Sequence, residues 1–352
     1  MEGREWIDCH VHVLEGGTRQ VENLIRKQRQ RGYTASNFLS VEGMGDAAQN
    51  ALAIYYKLRD PHSYAFGSMH YRFAYDFGEE ARKLHHIGLD GIKMIENKPA
   101  ERKRLGYSQE DARYESLYLA LEELDMPLLA HVGDPAEFWD KDRIPSWALA
   151  AGWYYGGEGY PGREQLLQET QGMLERHPGL RVCFAHFLFL AQDQDRLCEM
   201  MEKYPNMYLD LTAGTEMYFS FSQDIALWKS FFLKYRNRIL FGTDNCNPGS
   251  EEEAHNMEVI NRMERDFLRK EGRIAVWDKE VWGMGLPDSV WGRIAADNFR
   301  SFAGEKPRPI HRRAAADYLQ ERILDPRFGL SYMEREILRK VTDELLLFIR
   351  NI

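Results

Sequence analysis

The fold is decided by the stretch Pro127-Leu128-Leu129-Ala130-His131, a short apolar run that ends in a histidine. An amphipathic pattern over residues 109–124 precedes it, and another over residues 165–177 precedes the next apolar run, which ends at His186. Short apolar runs that alternate with longer amphipathic stretches are typical of strand–helix units around a parallel sheet. This stretch is therefore predicted to be one strand of such a sheet.

Eight runs of this kind occur along the chain. The predicted strands are residues 6–10, 34–41, 64–69, 91–95, 127–131, 181–186, 207–211 and 238–244. Helical patterns lie between them at residues 20–31, 77–86, 109–124, 165–177, 193–203 and 223–235. Eight strands with intervening helices predict an α/β fold of the closed (β/α)8 TIM-barrel type rather than an open doubly wound sheet. No glycine-rich fingerprint follows the first strand, which weakens a dinucleotide-binding interpretation.

Two segments exceed a minimal barrel. Residues 133–162 are rich in Trp and Tyr and are predicted to form a long lid insertion after the fifth strand, with Phe138 and Trp139 as substrate contacts. Extra C-terminal helices are predicted at residues 288–302, 312–324 and 333–349. We expect a metal-dependent barrel over residues 1–303 and a helical extension over 304–352. The extension would pack on the barrel or on a partner subunit in a possible homo-oligomer.

Composition limits the class of partner. The 352 residues contain 46 Lys and Arg against 55 Asp and Glu, a formal net charge of −9. Without a basic stripe, neither nucleic acid nor a membrane is expected as a partner, and a small-molecule substrate fits better. The four cysteines form neither a disulfide framework nor a zinc-ribbon pattern. We expect reduced thiols and, since no signal pattern is present, a cytoplasmic protein.

Two histidines lie at the end of the first predicted strand and just after it, in the sequence Asp8-Cys9-His10-Val11-His12. Strand side chains alternate faces, so Asp8, His10 and His12 are expected on one face with the two imidazoles converging. The carboxyl end of a barrel strand is where catalytic sites lie, and imidazole is the commonest ligand of zinc-type metals. Taken alone, the same pattern also fits a packed or exposed histidine pair.

Other strand ends favour the metal interpretation. The fifth strand ends in His131, the sixth in His186 and the eighth in Asp244. Taken singly, each histidine also fits the role of a hydrogen-bonded core residue, and the aspartate also fits the role of a helix cap. Burying so many unpaired imidazoles and carboxylates would cost on the order of several kcal/mol each, and coordination of a metal removes that cost. The set therefore predicts a metal site at the carboxyl end of the barrel.

The strand-end motifs of this chain, in their order along the sequence, resemble those of the amidohydrolase superfamily of metal-dependent hydrolases. The closest branch is the amidohydrolase-related one, which includes aminocarboxymuconate-semialdehyde decarboxylase-like enzymes, and the resemblance covers about residues 5–303. The motifs are Asp8-x-His10-x-His12, Gly91-Ile92-Lys93, Pro127 to His131 followed by Gly133-Asp134-Pro135, Ala185-His186, Tyr208-Leu209-Asp210 and Phe241-Gly242-Thr243-Asp244.

The resemblance implies roles for particular residues. One divalent metal, with Zn²⁺ the favoured ion, would be bound by His10, His12, His131 and Asp244. His186 would sit close by and activate water or polarise substrate. Such a site generates hydroxide near neutral pH, and Asp244 could pass the proton of that water to a leaving group.

Several residues near these motifs keep more than one interpretation. Asp8 fits either a partner that orients a ligand imidazole or a polar plug in the barrel floor. Lys93 fits either a substrate-binding group, a residue paired within the barrel, or a carboxylated bridge between two metals; we favour one metal. His70, Arg72 and Glu216 follow predicted strands and fit either substrate contacts or solvated loops.

Three functions follow from this interpretation. The first is hydrolysis of a small-molecule amide, ester or lactone through metal-activated water. The second is non-oxidative decarboxylation or hydration of a small carboxylated substrate at the same site. The third is a non-catalytic metal-binding barrel, which is disfavoured because no ligand is missing. The first is the favoured function.

Overall fold

Eight parallel strands form the barrel in the computed structural model, which describes residues 4–70, 75–212 and 215–350. Each strand pairs with its sequence neighbour, and the His12 N–H donates to the Asn245 carbonyl at 2.8 Å, which joins β1 to the chain after β8. The predicted (β/α)8 barrel is confirmed. The strands are β1 (Ile7–Val11), β2 (Ala35–Leu39), β3 (Tyr64–Gly67), β4 (Gly91–Asn97), β5 (Leu128–Val132), β6 (Val182–Phe184), β7 (Met207–Asp210) and β8 (Ile239–Leu240).

Helices cover the outside of the sheet. Between strands lie α1 (Thr18–Gln30), α2 (Gln49–Arg59), α3 (Phe77–Ile87), α4 (Pro99–Leu105), α5 (Ala112–Glu123), α6 (Ser146–Ala150), α7 (Arg163–Arg176), α8 (Gln194–Lys203), α9 (Thr215–Gln223) and α10 (Ile225–Lys234). After β8 come α11 (Glu251–Arg269), the antiparallel pair β9 (Glu271–Val276) and β10 (Lys279–Met284), α12 (Asp288–Gly292), α13 (Asn298–Ala303), α14 (Arg312–Leu324) and α15 (Tyr332–Arg350). No helix of the described ranges is long and apolar enough to cross a membrane.

The strands are apolar because both of their faces are buried. Side chains such as Leu129 and Cys183 belong to a cluster inside the barrel, whereas Leu128 and Val182 pack outward against the helices. Phe299 of α13 joins the inner cluster and closes it at the amino-terminal end of the strands. Polar side chains in the barrel are therefore concentrated toward the opposite end.

A buried ionic network joins the C-terminal helices to the barrel. Arg322 of α14, only 3% exposed, donates to both carboxylate oxygens of Glu42 at 2.8 and 2.7 Å and to Glu80 at 2.6 Å. Tyr318 of the same helix also donates to Glu80, at 2.7 Å. Glu42 follows β2 and Glu80 lies in α3, so these contacts bind the helices to the barrel within one chain.

Candidate active site

A β-bulge in β1 separates its polar side chains. The register of β1 against β2 shifts between Asp8 and Val11, which inserts one extra residue locally. Cys9 consequently packs in the inner cluster. Asp8 turns outward and accepts a hydrogen bond from Gln28 of α1 at 2.6 Å. Strict alternation, which would place Asp8 on the same face as His10, does not hold in this strand.

His10, His12 and Asp244 converge at the carboxyl end of the barrel. The Nε2 atoms of His10 and His12 lie 3.0 Å apart. Oδ1 of Asp244 lies 3.4 Å from Nε2 of His10 and 3.3 Å from Nε2 of His12. His10 and His12 are buried at 1% and 5% exposure, while Asp244 remains partly exposed. These three residues can offer one ligand atom each to a common cation.

The hydrogen bonds behind the two imidazoles assign their protonation. His10 Nδ1 lies 2.9 Å from a carboxylate oxygen of Asp210, and His12 Nδ1 lies 2.9 Å from the Leu39 carbonyl. Both oxygens accept, so the proton of each ring resides on Nδ1 and each Nε2 carries a lone pair. Burial also lowers the pKa of His10 well below its usual value, which keeps this ring neutral. Two facing lone pairs beside a carboxylate fit a bound cation.

Asp210 organises this centre although no role was predicted for it. Its Oδ1 accepts from the His186 N–H at 2.8 Å and from the Thr212 hydroxyl at 2.5 Å, while its Oδ2 holds His10. It is fully buried at the end of β7. A carboxylate that orients a ligand imidazole through its second nitrogen is common in metal sites. A carboxylate at the end of an apolar strand is the sequence signal that could have identified it.

Asp8 acts on the loop that carries Asp244. It accepts from the Thr243 N–H at 3.0 Å and from the Thr243 hydroxyl at 2.6 Å. Gly242 lies close to β1, because a Cβ there would come within 2.9 Å of Cys9 Sγ. Asp244 itself has a φ of 54°, a left-handed conformation. Burial opposes its ionisation, but the adjacent His10 and His12 hold the pKa of Asp244 well below its usual value.

His186 lies just beyond the strand that was predicted to contain it. β6 ends at Phe184, and residues 186–189 form a turn with φ values of 54°, 55°, 54° and 51°. Each left-handed residue costs on the order of 1 kcal/mol, and such strain is frequent at functional sites. The turn places the His186 ring 5.7 Å from that of His10. Burial lowers the pKa of His186 to about 4, so its ring is neutral.

His131 occupies the end of β5, as predicted, beside His186. The two ring centroids are 5.0 Å apart, but His131 Nε2 lies 3.0 Å from the Gly133 carbonyl. His131 is therefore near the group formed by His10, His12 and Asp244 without being a member of it. Burial lowers the pKa of His131 below its usual value.

Lys93 projects into the barrel interior from β4. Its Nζ lies 3.4 Å from Nε2 of His10, and the residue is 1% exposed. Burial lowers its pKa, while the carboxylates of Asp210 and Asp244 act in the opposite direction. Lys93 thus lies at the centre, next to a candidate metal ligand.

The aromatic insertion forms a small core of its own. Phe138 packs within 5.7 Å of the Trp147 ring and 6.3 Å of those of Trp153 and Tyr155. Trp139 donates its ring N–H to the Pro161 carbonyl at 3.0 Å. The insertion's contribution to the cavity beside His186 is instead Pro135, Ala136 and Glu137. Phe138 and Trp139 are not lining residues of that cavity.

The remaining loop candidates have different positions. His70 is fully buried, with its ring 5.3 Å from that of Phe328 near the C-terminal helices, so it is not in a solvated loop. Glu216 lines the cavity beside His186. Arg72 lies outside the described residues.

Comparisons with known proteins identify the family of this chain. The sequence profile of the Amidohydrolase family matches residues 77–270, more than half of the 352-residue chain. A search of curated protein sequences found no match.

Solved structures share the fold at low identity. An uncharacterised TIM-barrel protein from Bordetella bronchiseptica is 13% identical with a TM-score of 0.54, over 85% of this chain and 98% of that one. A putative amidohydrolase from Staphylococcus aureus is 14% identical with a TM-score of 0.54, over 85% and 99%. The IDCase of Metarhizium anisopliae is 11% identical with a TM-score of 0.56, over 85% and 97%. On its family match, the chain belongs to the amidohydrolase family and is a metal-dependent enzyme of the amidohydrolase superfamily.

Proposed function

We propose that the protein hydrolyses an amide, ester or lactone of a small molecule at one divalent cation held by His10, His12, His131 and Asp244. The observation that carries the proposal is the pair of Nε2 atoms 3.0 Å apart beside the Asp244 carboxylate. A bound cation would supply Lewis acidity and lower the pKa of a water molecule. We propose zinc because imidazole-rich sites with an open position suit this ion.

His131 is the fourth ligand of the proposal. Its ring is at the same end of the barrel, 5.0 Å from that of His186. To reach the cation, Nε2 would have to leave the Gly133 carbonyl, with which it is now in contact. This exchange replaces one hydrogen bond by a coordinate bond, and it requires the ring proton to move from Nε2 to Nδ1.

His186 and Asp244 are the proposed catalytic residues. The Thr212 hydroxyl donates to Asp210 and lies 3.0 Å from His186 Nδ1, so Nδ1–H donates to this oxygen and Nε2 keeps a lone pair. His186 can thus accept a hydrogen bond from the attacking water. Asp244, partly exposed, would take up the proton and transfer it to the leaving group.

Lys93 and the insertion complete the proposal. The Lys93 ammonium, 3.4 Å from His10 Nε2, is proposed to meet substrate oxygen and to offset the negative charge that develops on it. Phe138 and Trp139 are proposed to support the lid from within its aromatic core, so that residues 135–137 face the substrate.

Isotope labelling tests the reaction. The purified protein, loaded with zinc, would be incubated in ¹⁸O-water with a panel of small amides, esters, lactones and carboxylated compounds. If the protein is a hydrolase, the carboxylate product should contain one ¹⁸O atom taken from the water. A His10→Gln variant should not form this product. A His62→Gln variant, altered at an exposed histidine, is the matched control.

Two outcomes would contradict the proposal. Release of CO₂ or addition of water to a double bond, without bond hydrolysis, would establish the decarboxylase or hydratase alternative. A protein that binds less than about one equivalent of divalent metal after reconstitution, measured by elemental analysis, would remove the cation site itself.

The four cysteines support a proposed cytoplasmic location. Cys9, Cys183, Cys198 and Cys246 are all unpaired in the structure, which suits a reducing compartment. Cell fractionation tests the location, and recovery in an extracytoplasmic fraction would contradict it.

A further inference from the structure

A cavity opens beside His186 under the start of the insertion. Its walls come from the insertion, from the turn after β6 and from the start of α9, and they include Ala136, Glu137, His186, Phe189, Glu216 and Met217. Because His186 also adjoins the group formed by His10, His12 and Asp244, this cavity is where the non-reacting part of a substrate would extend.

Two glutamates of the cavity wall have no cationic partner. Neither Glu137 nor Glu216 forms an ion pair, or a hydrogen bond to another side chain, within the described part of the chain; Glu216 is bonded to its own backbone N–H. Arg163 is close enough to influence Glu137, but it donates to the Phe189 carbonyl at 3.0 Å. Among residues 4–70, 75–212 and 215–350, no lysine or arginine lines the cavity.

Negative charge at the cavity is therefore offset only by Arg163, which acts on Glu137 without forming an ion pair with it. Burial raises the pKa of Glu216, and the nearby charges of Glu137 and Asp134 raise it further. Asp134 already has a partner, since Lys98 Nζ lies 2.8 and 2.7 Å from its two oxygens. Ionising the largely buried Glu216 without a partner is therefore costly. A cation placed between Glu137 and Glu216 would remove this cost.

The other walls suit the stem of such a cation. Met217 and Ala136 offer apolar surface, and the Phe189 ring stacks on His186 with a centroid distance of 5.0 Å. An aliphatic stem can pack on these side chains, and an aromatic face near a cation adds attraction.

We infer that the substrate carries an ammonium or guanidinium group on a short apolar stem, bound between Glu137 and Glu216 while its scissile carbonyl lies at His10, His12 and Asp244. The position of the carbonyl rests on the proposed function. The charge preference rests on the cavity. A carboxylate in this position would add a third negative charge to the two glutamates.

Three hydroxamates of equal chain length provide the test. Aminopentane hydroxamate, hexane hydroxamate and adipate monohydroxamate share a metal-binding head and differ only in an ammonium, methyl or carboxylate end. On the zinc-loaded protein, calorimetry should show the ammonium compound binding about 10-fold more tightly than the methyl compound, and the carboxylate compound most weakly. Glu137→Gln and Glu216→Gln should each reduce this preference. Glu158→Gln, an exposed glutamate of the same insertion, is the matched control.

The outcomes separate this inference from the proposed function. If the methyl or carboxylate compound binds as tightly as the ammonium compound, the inference is overturned while the metal site stands. If no hydroxamate binds, the proposed function fails and pentylammonium and pentanol are titrated into the protein as purified. If pentylammonium binds and pentanol does not, and if this binding is lost in both the Glu137→Gln and the Glu216→Gln variants, the inference is retained. If the two probes bind equally, or if neither binds, the inference is overturned.

Discussion

Asp210 at the end of β7 holds Nδ1 of His10 on β1 at 2.9 Å, a contact between residues 200 positions apart in the chain. The contact fixes the ring so that its other nitrogen, Nε2, points at His12 and Asp244. The geometry of the candidate metal site therefore depends on a strand that supplies none of its proposed ligands.

An Asp210→Asn substitution should weaken metal binding. The amide oxygen would keep the bonds from the His186 N–H and the Thr212 hydroxyl, so the NH₂ group would face His10 and move the ring proton to Nε2. We expect affinity for zinc to fall about 10- to 100-fold in a chelator competition assay. Asp195→Asn, at an exposed position of α8, should not change it. Unchanged affinity in the Asp210 variant would exclude this role.

An Asp244→Asn substitution should abolish most turnover without altering the fold. Asparagine tolerates the left-handed φ of 54° at this position, so no new backbone strain is introduced. Loss of the proton acceptor should reduce kcat by about 100-fold or more. Circular dichroism and thermal melting would check the fold. A variant with wild-type kcat would show that another group transfers the proton.

A His186→Asn substitution should reduce kcat more than metal content. The φ of 54° at this position again suits asparagine, and the His186 ring is not among the three groups that converge on one point. Turnover and elemental analysis on the same preparation give the comparison. If the variant loses its metal, His186 is a ligand, and a two-metal site with a modified Lys93 becomes the better interpretation.

An Arg322→Met substitution should destabilise the whole barrel. It would leave the buried carboxylates of Glu42 and Glu80 without their guanidinium partner, and breaking a buried pair in this way costs about 3–5 kcal/mol. Urea unfolding measures the change. Arg313→Met, which removes an exposed pair with Asp317 on the same helix, should cost less than about 1 kcal/mol. Equal effects would mean that the buried network adds nothing to stability.

A Glu264→Gln substitution should make the protein less sensitive to rising pH. Both carboxylate oxygens of Glu264 are buried without a hydrogen-bond partner among the described residues. Burial, with a further contribution from Asp8, raises its pKa well above the ordinary 4.5. Above about pH 4.5 the carboxyl group of Glu264 loses its proton in the unfolded chain but keeps it in the folded chain, up to the raised pKa. Between these two pKa values the free energy of unfolding of the wild-type protein falls by up to about 1.4 kcal/mol per pH unit.

The advantage of the Gln variant should therefore be small at pH 4 and increase toward pH 8. Urea unfolding across this range tests the trend, with Glu271→Gln at an exposed strand position as the control. A stability difference that does not vary with pH would show that Glu264 ionises normally in the folded protein.

The sequence by itself determined the barrel and most of its elements. Apolar runs marked all eight strands because a strand buried on both faces is mostly apolar, although Lys93 in β4 is an exception. Helix α14 was predicted with the bounds it has in the structure, residues 312–324. In contrast, α2 was missed because residues 49–57 are all buried, which removes the amphipathic pattern. The β9–β10 pair was missed because its exposed polar residues resemble a loop.

Only the tertiary structure decided how the chemistry-bearing side chains are arranged. Histidines and aspartates at strand ends were visible in the sequence, but the bulge that turns Asp8 away from His10 depends on the pairing of β1 with its neighbours. The partner of His10 is Asp210 because barrel closure brings β7 near β1. The left-handed turn at His186 and the unpaired Glu137 and Glu216 likewise depend on contacts among distant segments, which local patterns of sequence do not encode.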